Sequence, residues 1–204
     1  MSARIDRLVT SGTFSLDGGT WDVDNNVWIV GDDTECLVID APHDADAIVD
    51  GVAGRSVVAV LLTHAHDDHI RAARAVAQAT GAPILLNPAD RMLWDAVYPD
   101  AAPDGEIRDG DTFSAGGAVL TALHTPGHSP GSTCFYLESE GTVFTGDTLF
   151  QGGPGATGRS YSDKPTILAS IRSRLLTLPP DTVVRTGHGD STTIGAETAG
   201  IPGG

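Results

Sequence analysis

Cysteine is scarce in this chain. Two stand among 204 residues, Cys36 and Cys134. Each lies inside an apolar, strand-like run (ECLVID and TCFYLE), which fits two buried, reduced thiols and argues against a disulfide framework or a thiolate metal site. Basic residues are few as well: 12 Lys and Arg face 27 Asp and Glu, for a formal charge of −15. An acidic surface repels a phosphate backbone, so nucleic acid is not an expected partner. Long hydrophobic runs are missing. The opening stretch MSARIDRLVTSGTF carries no apolar leader, no segment has the length of a membrane span, and no lipidation motif is present. The expectation is a cytoplasmic protein that acts on a small molecule, with no membrane partner. Low-complexity tracts and short-period repeats are absent too.

What remains is an ordinary globular balance, with 40% hydrophobic and 19% charged residues. The length fits one domain spanning residues 1–204 and buries a sizeable core. Twenty-five Gly and 12 Pro point to many turns rather than a helical bundle. Strands are predicted at 13–16, 27–30 and 36–40, and a helix at 45–52. The β-branched run at 56–63 (SVVAVLLT) fits a strand buried on both faces. A helix ending at Gly81, a strand at 83–86 and a helix at 88–98 follow, then a polar loop at 99–110. A second series of strands is read at 112–114, 119–124, 133–137 and 143–145. A Gly-rich loop covers 151–162. The helix at 165–178 has Ser162 or Asp163 as its cap. A last strand at 182–185 leads to a Gly-rich tail from 191 that is expected to fray. Layered sheets with helices outside fit this order, an α+β class.

Three of the seven histidines, His64, His66 and His69, fall within six residues, with Asp67 and Asp68 among them. This THAHDDH cluster directly follows the buried strand, where scaffolds present chemical groups. In an extended segment His64 and His66 point the same way and can reach one ion. Asp68 and His69 open the following helix and can face a second point close by. Imidazole with carboxylate is a ligand set for zinc, iron or manganese.

These residues resemble the T-H-x-H-x-D-H signature of the metallo-β-lactamase superfamily. His128 in HTPGHSPGS, Asp147 in FTGDTLF and His188 in TGHGD are similar to its later motifs, in the same order. The resemblance implies a four-layer αββα sandwich with two divalent ions, zinc foremost and iron or manganese also compatible. It implies that His64, His66 and His128 hold one ion and that Asp68, His69 and His188 hold the other, with Asp147 bridging. Asp68 would also orient the attacking water. Asp40 corresponds to the family's Asp that holds a ligand histidine from behind. Of the other histidines, His43 reads as a solvated loop residue and His124 as either a strand-end residue or one that supports a ligand, rather than a ligand itself.

Within the superfamily the chain looks most like glyoxalase II and its small relatives, which hydrolyse thioesters of low-molecular-weight thiols. A thiolate leaves readily and needs little acid help. Sixteen residues follow His188, too few for that enzyme's glutathione-holding helical domain. The GGPGATGRSYSDK loop and the TGHGDSTTIG ending look like small actinobacterial members, which suggests an S-acyl or S-formyl mycothiol substrate. Arg159, Tyr161 and Lys164 are the candidate substrate contacts. The rival readings are a persulfide dioxygenase with one iron on His64, His128 and Asp147, and a lactone hydrolase. A β-lactamase, a nuclease and a structural metal site fit the ligand types, charge and opening residues less well.

Overall fold

The computed structural model describes residues 3–202. It opens on a hairpin of two 13-residue strands, β1 (Arg4–Leu16) and β2 (Gly19–Gly31), paired antiparallel through a tight turn at Asp17 and Gly18. Strand β3 (Glu35–Ile39) pairs antiparallel with β2. Helix α1 (Ala45–Val52), capped by the Asp44 carboxylate on the Ala47 N–H, returns the chain to β4 (Ser56–Leu61), parallel to β3. Two helical pieces follow, α2 (Asp67–Ile70) and α3 (Ala73–Thr80), where one continuous helix is predicted. The break lies at Arg71 and Ala72, as the chain leaves the histidine cluster. Strand β5 (Ile84–Leu86), a 3₁₀ turn at Pro88–Asp90, α4 (Arg91–Val97) and β6 (Gly105–Glu106) complete the first sheet. Its order is β1-β2-β3-β4-β5-β6. The segment predicted as a polar loop thus contributes an edge strand, followed by the buried Ile107.

The second half builds β7 (Thr112–Ala115), β8 (Ala118–His124), β9 (Thr133–Leu137) and β10 (Thr142–Gly146). A small hairpin, β11 (Leu149–Phe150) with β12 (Gly153–Pro154), sits in the Gly-rich loop. Helix α5 (Lys164–Ser170), capped by Asp163, runs on into a π-helical turn at Ile171–Leu175. Strand β13 (Val183–Thr186) lies parallel to β10. The described part of the tail, residues 191–202, is ordered where fraying is expected: β14 (Thr192–Thr193) pairs with β13, and α6 (Ile194–Thr198) and Ile201 bury apolar side chains; residues 203 and 204 lie outside the described residues. The second sheet has the order β14-β13-β10-β9-β8-β7.

Alternation along the strands sorts their side chains into three apolar layers. Val27, Ile29, Cys36 and Val38 face α1, α3 and α4, meeting Ile48, Val76 and Trp94. Their neighbours Trp28, Val30, Leu37 and Ile39 face the other sheet, against Leu120, Phe135 and Phe144. Cys134, Val143 and Val184 point outward under Ile167, Ile171 and Leu175. The result is helices, sheet, sheet, helices. Both cysteines are buried and unpaired in a disulfide. At one end the sheets are tied by backbone bonds, Thr133 N–H to Thr63 carbonyl at 2.8 Å and Asn26 N–H to Gly187 carbonyl at 2.7 Å. The ends of β3, β4, β10 and β13 meet there. Among the described residues no helix is long and apolar enough to cross a membrane.

Candidate metal centre

Every sequence-predicted ligand stands at this common end. His64, His66, Asp68 and His69 follow β4, His128 sits between β8 and β9, Asp147 follows β10, and His188 follows β13. The structure brings them into three overlapping groups of donor atoms: His64, His66 and His128; His64, His69 and Asp147; Asp68, His69 and His188.

Anchoring bonds aim the rings. Asp40, at the end of β3 in a left-handed conformation with φ 62°, accepts from the Thr63 N–H at 2.7 Å and the Thr63 hydroxyl at 2.8 Å. That hydroxyl, its proton spent on Asp40, accepts from His64 Nδ1 at 3.0 Å. His69 Nδ1 donates to Asp40 at 2.8 Å, His128 Nδ1 to the Ala156 carbonyl at 2.9 Å, and His188 Nδ1 to the Asp24 carbonyl at 2.7 Å. With Nδ1 committed, these four rings turn Nε2 inward, the arrangement that fixes a metal-ligating tautomer. His66 differs: its Nδ1 lies 3.0 Å from His128 Nε2.

The donors converge on little but one another. His69 Nε2 lies 3.2 Å from His188 Nε2 and 3.4 Å from Asp147 Oδ1. Asp147 Oδ2 is 3.4 Å from His188 Nε2 and 3.6 Å from His128 Nε2. The carboxylate of Asp147 therefore stands between the first group and the last. His64 Nε2 and Asp147 Oδ1 are buried with no hydrogen-bond partner among the described residues. Buried, unpaired lone pairs aimed at a shared point are costly unless something binds there. The donor set fits divalent cations.

A metallo-beta-lactamase superfamily model matches residues 20–188. The chain belongs to that superfamily. Members similar to it include the probable metallo-hydrolase YqgX of Bacillus subtilis, 36% identical over 83% of this chain and 87% of that one. The hydroxyacylglutathione hydrolase GloC of Haemophilus influenzae is 33% identical over 84% and 88%. Among solved structures, the BLEG-1 B3 metallo-beta-lactamase has a TM-score of 0.80 at 31% identity, covering 95% of this chain and 98% of that one. TTHA1623 in a di-iron-bound form has a TM-score of 0.76 at 31% identity, covering 88% and 95%. The αββα sandwich and the kinship to glyoxalase II are thus findings.

The electrostatics follow from crowding charge in a buried end of the molecule. Burial, then the neighbouring His69, His66 and His128, keep His64 neutral far below its ordinary range. Burial likewise brings His66 down to about 3. On the other side, burial is outweighed. The carboxylates of Asp68, Asp147 and Asp40 hold His69 well above its ordinary range, and Asp147 and Asp68 raise His188 to about 10. Burial opposes charge on Asp68, yet His69 and His188 pull its carboxyl down to about 2. Without metal, two protons do part of the work of cations.

Above the donors lies a cavity of about 220 Å³. Phe14, Trp21 and Val23 of the β1–β2 hairpin wall one side, and Ala156 and Arg159 the other. The Arg159 guanidinium stacks 3.6 Å from the Trp21 ring centroid and 5.4 Å from that of Phe14. Tyr161 and Lys164 do not line this cavity. Tyr161 sits in a left-handed turn with φ 70°, and its side chain is exposed. Lys164 is exposed at the start of α5.

His43 corrects the sequence reading. It is half-buried, not solvated, and its Nε2 lies 2.8 Å from Asn25 Oδ1. His124 ends β8 as expected and bonds the Pro130 carbonyl at 2.9 Å, bracing the His128 loop. Two polar residues escaped the reading altogether. Asn25 is fully buried and donates to Asp68 Oδ2 at 3.0 Å. Asp90 accepts from Ala65 N–H at 3.0 Å, Ser129 Oγ at 2.7 Å and Gly131 N–H at 2.5 Å, tying the His64–His66 segment to the His128 loop. For Asn25 a signal existed: a polar pair, Asn25-Asn26, directly precedes the apolar run at 27–30. Asp90 looks like an ordinary helix-start residue.

Proposed function

We propose that this chain is a two-metal hydrolase that cleaves a thioester of a low-molecular-weight thiol. His64, His66 and His128 hold one ion and Asp68, His69 and His188 the other, with Asp147 shared. The observation that carries this reading is the place of Asp147, whose oxygens face His128 on one side and His69 and His188 on the other. The di-iron-bound relative supports a pair of ions, and the hydroxyacylglutathione hydrolase supports the thioester. Zinc is the first candidate, with iron or manganese compatible.

When bound, such ions supply Lewis acidity and make water nucleophilic near neutral pH. The protein's own groups do the rest. Asp68, at the cavity floor, orients the attacking water. Phe14, Trp21 and Val23 exclude bulk solvent from one side. Arg159 offers the cavity's cation to an anionic part of the substrate. A cavity of about 220 Å³ holds an acyl group and the reacting sulfur, while the thiol carrier lies across the open mouth. The departing thiolate is stable enough to leave without a dedicated acid. Tyr161 and Lys164 receive no contact in this reading.

The test joins metal analysis to hydrolysis. Purified protein should contain two ions per chain and hydrolyse S-acyl thiols, with mycothiol and glutathione conjugates compared side by side. Asp147→Ala should lose metal and turnover together. Full turnover by metal-stripped Asp147→Ala protein would overturn the reading, and hydrolysis of lactones but not thioesters would replace its substrate class.

A further inference from the structure

His43 has no place in the ligand set, yet the fold makes room for it. It lies under the β1–β2 hairpin, and Gly12 of β1 is what admits it. A Cβ at Gly12 would meet His43 Nδ1 at 2.2 Å and Cγ at 2.3 Å. From there the ring reaches Asn25 on β2, and Asn25 reaches Asp68.

The polarity of this chain follows from what each group can do. A carboxylate ligand accepts hydrogen bonds and cannot donate them, so the Asn25 NH₂ faces Asp68. The Asn25 carbonyl must then face His43, whose Nε2 must carry the proton. This tautomer leaves Nδ1 as a bare lone pair. Nδ1 is buried with no partner among the described residues, so no acceptor there competes for the ring's proton. The Asn25 NH₂ also lies 3.5 Å from His188 Nε2. Asp68 and His188 belong to the same donor group, while the group of His64, His66 and His128 touches neither Asn25 nor His43 through any hydrogen bond described.

We propose that His43 and Asn25 are positioning residues that hold Asp68 from behind and set the affinity of one of the two metal sites, that of Asp68, His69 and His188, independently of the other. The inference rests on the two-metal reading above. His43 locks the Asn25 amide so that its donor, not its carbonyl, meets the carboxylate. With the lock removed, the amide can turn its oxygen toward Asp68, and the repulsion swings that ligand off its aim.

The experiment compares metal-free wild type, Asn25→Leu, His43→Leu and His43→Gln, each titrated with Zn²⁺ against a chromophoric chelator. The metal-free melting temperature is measured alongside. In wild type two stepwise affinities are expected. Both Leu variants should weaken one of them by about 10- to 100-fold, the usual effect of losing a group behind a ligand, and leave the other unchanged. His43→Gln should restore the wild-type pair, because its amide nitrogen lies near the Nε2 position and can donate to Asn25. Should Asn25→Leu fail to fold, the two His43 variants decide alone, since their site is only half-buried. Equal weakening of both affinities, no weakening, or a Gln variant as defective as Leu would overturn the proposal. A wild type that binds one ion only would overturn the two-metal reading and this inference with it.

Discussion

Gly187 stands one residue before His188 and lies against the centre from behind. A Cβ there would meet Asp147 Oδ1 at 2.3 Å and His69 Cε1 at 2.9 Å. Neither neighbour can retreat: His69 is fully buried and pinned by Asp40, and Asp147 is squeezed among three rings. Gly187→Ala is therefore expected to bind less than half the wild-type metal and to lose turnover to match. Elemental analysis of the purified variant checks this, and full metal content would refute it. The glycine in TGHGD is legible in the sequence as part of a motif. The reason for it, one missing methyl group beside a carboxylate brought from 40 residues away, is not. The same holds for Asn25 and His43. The Asn25-Asn26 pair marks a polar spot in the chain, but its contact with Asp68, like the place of His43, exists only once the hairpin folds over the cluster.

The β1–β2 hairpin is the element that most exceeds its sequence reading. Short strands at 13–16 and 27–30 become one 13-residue pair. The middle of this ribbon mixes polar and apolar residues, so hydrophobic periodicity is weak, and pairing across the Asp17-Gly18 turn supplies what the pattern lacks. Its tip carries Phe14 and Trp21 to the cavity, and Asp17 accepts from the Ser160 N–H at 2.9 Å, fastening the Gly-rich loop to it. Trp21→Ala should remove an apolar wall and the stacking partner of Arg159. The expected effect is a rise in KM of about tenfold, equivalent to about 1.4 kcal/mol, with kcat within about twofold. The melting temperature should hold, because the Trp21 side chain is 41% exposed. Steady-state kinetics with a thioester reads the split. A fall in kcat at constant KM would assign Trp21 to the chemistry instead.

For the molecule as a whole, the buried end that holds the donors makes stability depend on pH and metal together. His188, raised to about 10 in the metal-free protein, contributes stability in full below about 6.5 that is lost as pH rises toward 10. His66, lowered to about 3, works the other way: its contribution is present above about 6.5 and lost as pH falls toward 3. Asp68, at about 2, adds a loss confined to still stronger acid. The metal-free melting temperature should accordingly peak near pH 6.5 and fall on both sides. An ion held by the proposed ligands must displace the protons on His69 and His188, so the gain in melting temperature on loading should widen from pH 6 to pH 9. Thermal melts of both forms across pH 4–9.5 test this. A metal-free melting temperature that climbs steadily through pH 9 would contradict it.

Much of this protein was fixed locally. The buried run at 56–63 ends in THAHDDH because a β-branched strand and a polar, turning segment are each set by their own residues. Cysteine scarcity, acidic charge and the order of His128, Asp147 and His188 were likewise plain in the chain. Tertiary structure decided what depends on meeting at a distance. It turned four rings by bonds to Asp40, Thr63 and the Ala156 and Asp24 carbonyls, set Asp147 between two donor groups, and brought His43 indoors. It also docked the Gly-rich tail, through Ile194 and Ile201. A hydrogen bond's direction and a half-buried ring have no period along the sequence. They exist only once two sheets, packed face to face and tied at one end, put residues from every part of the chain within one bond of each other.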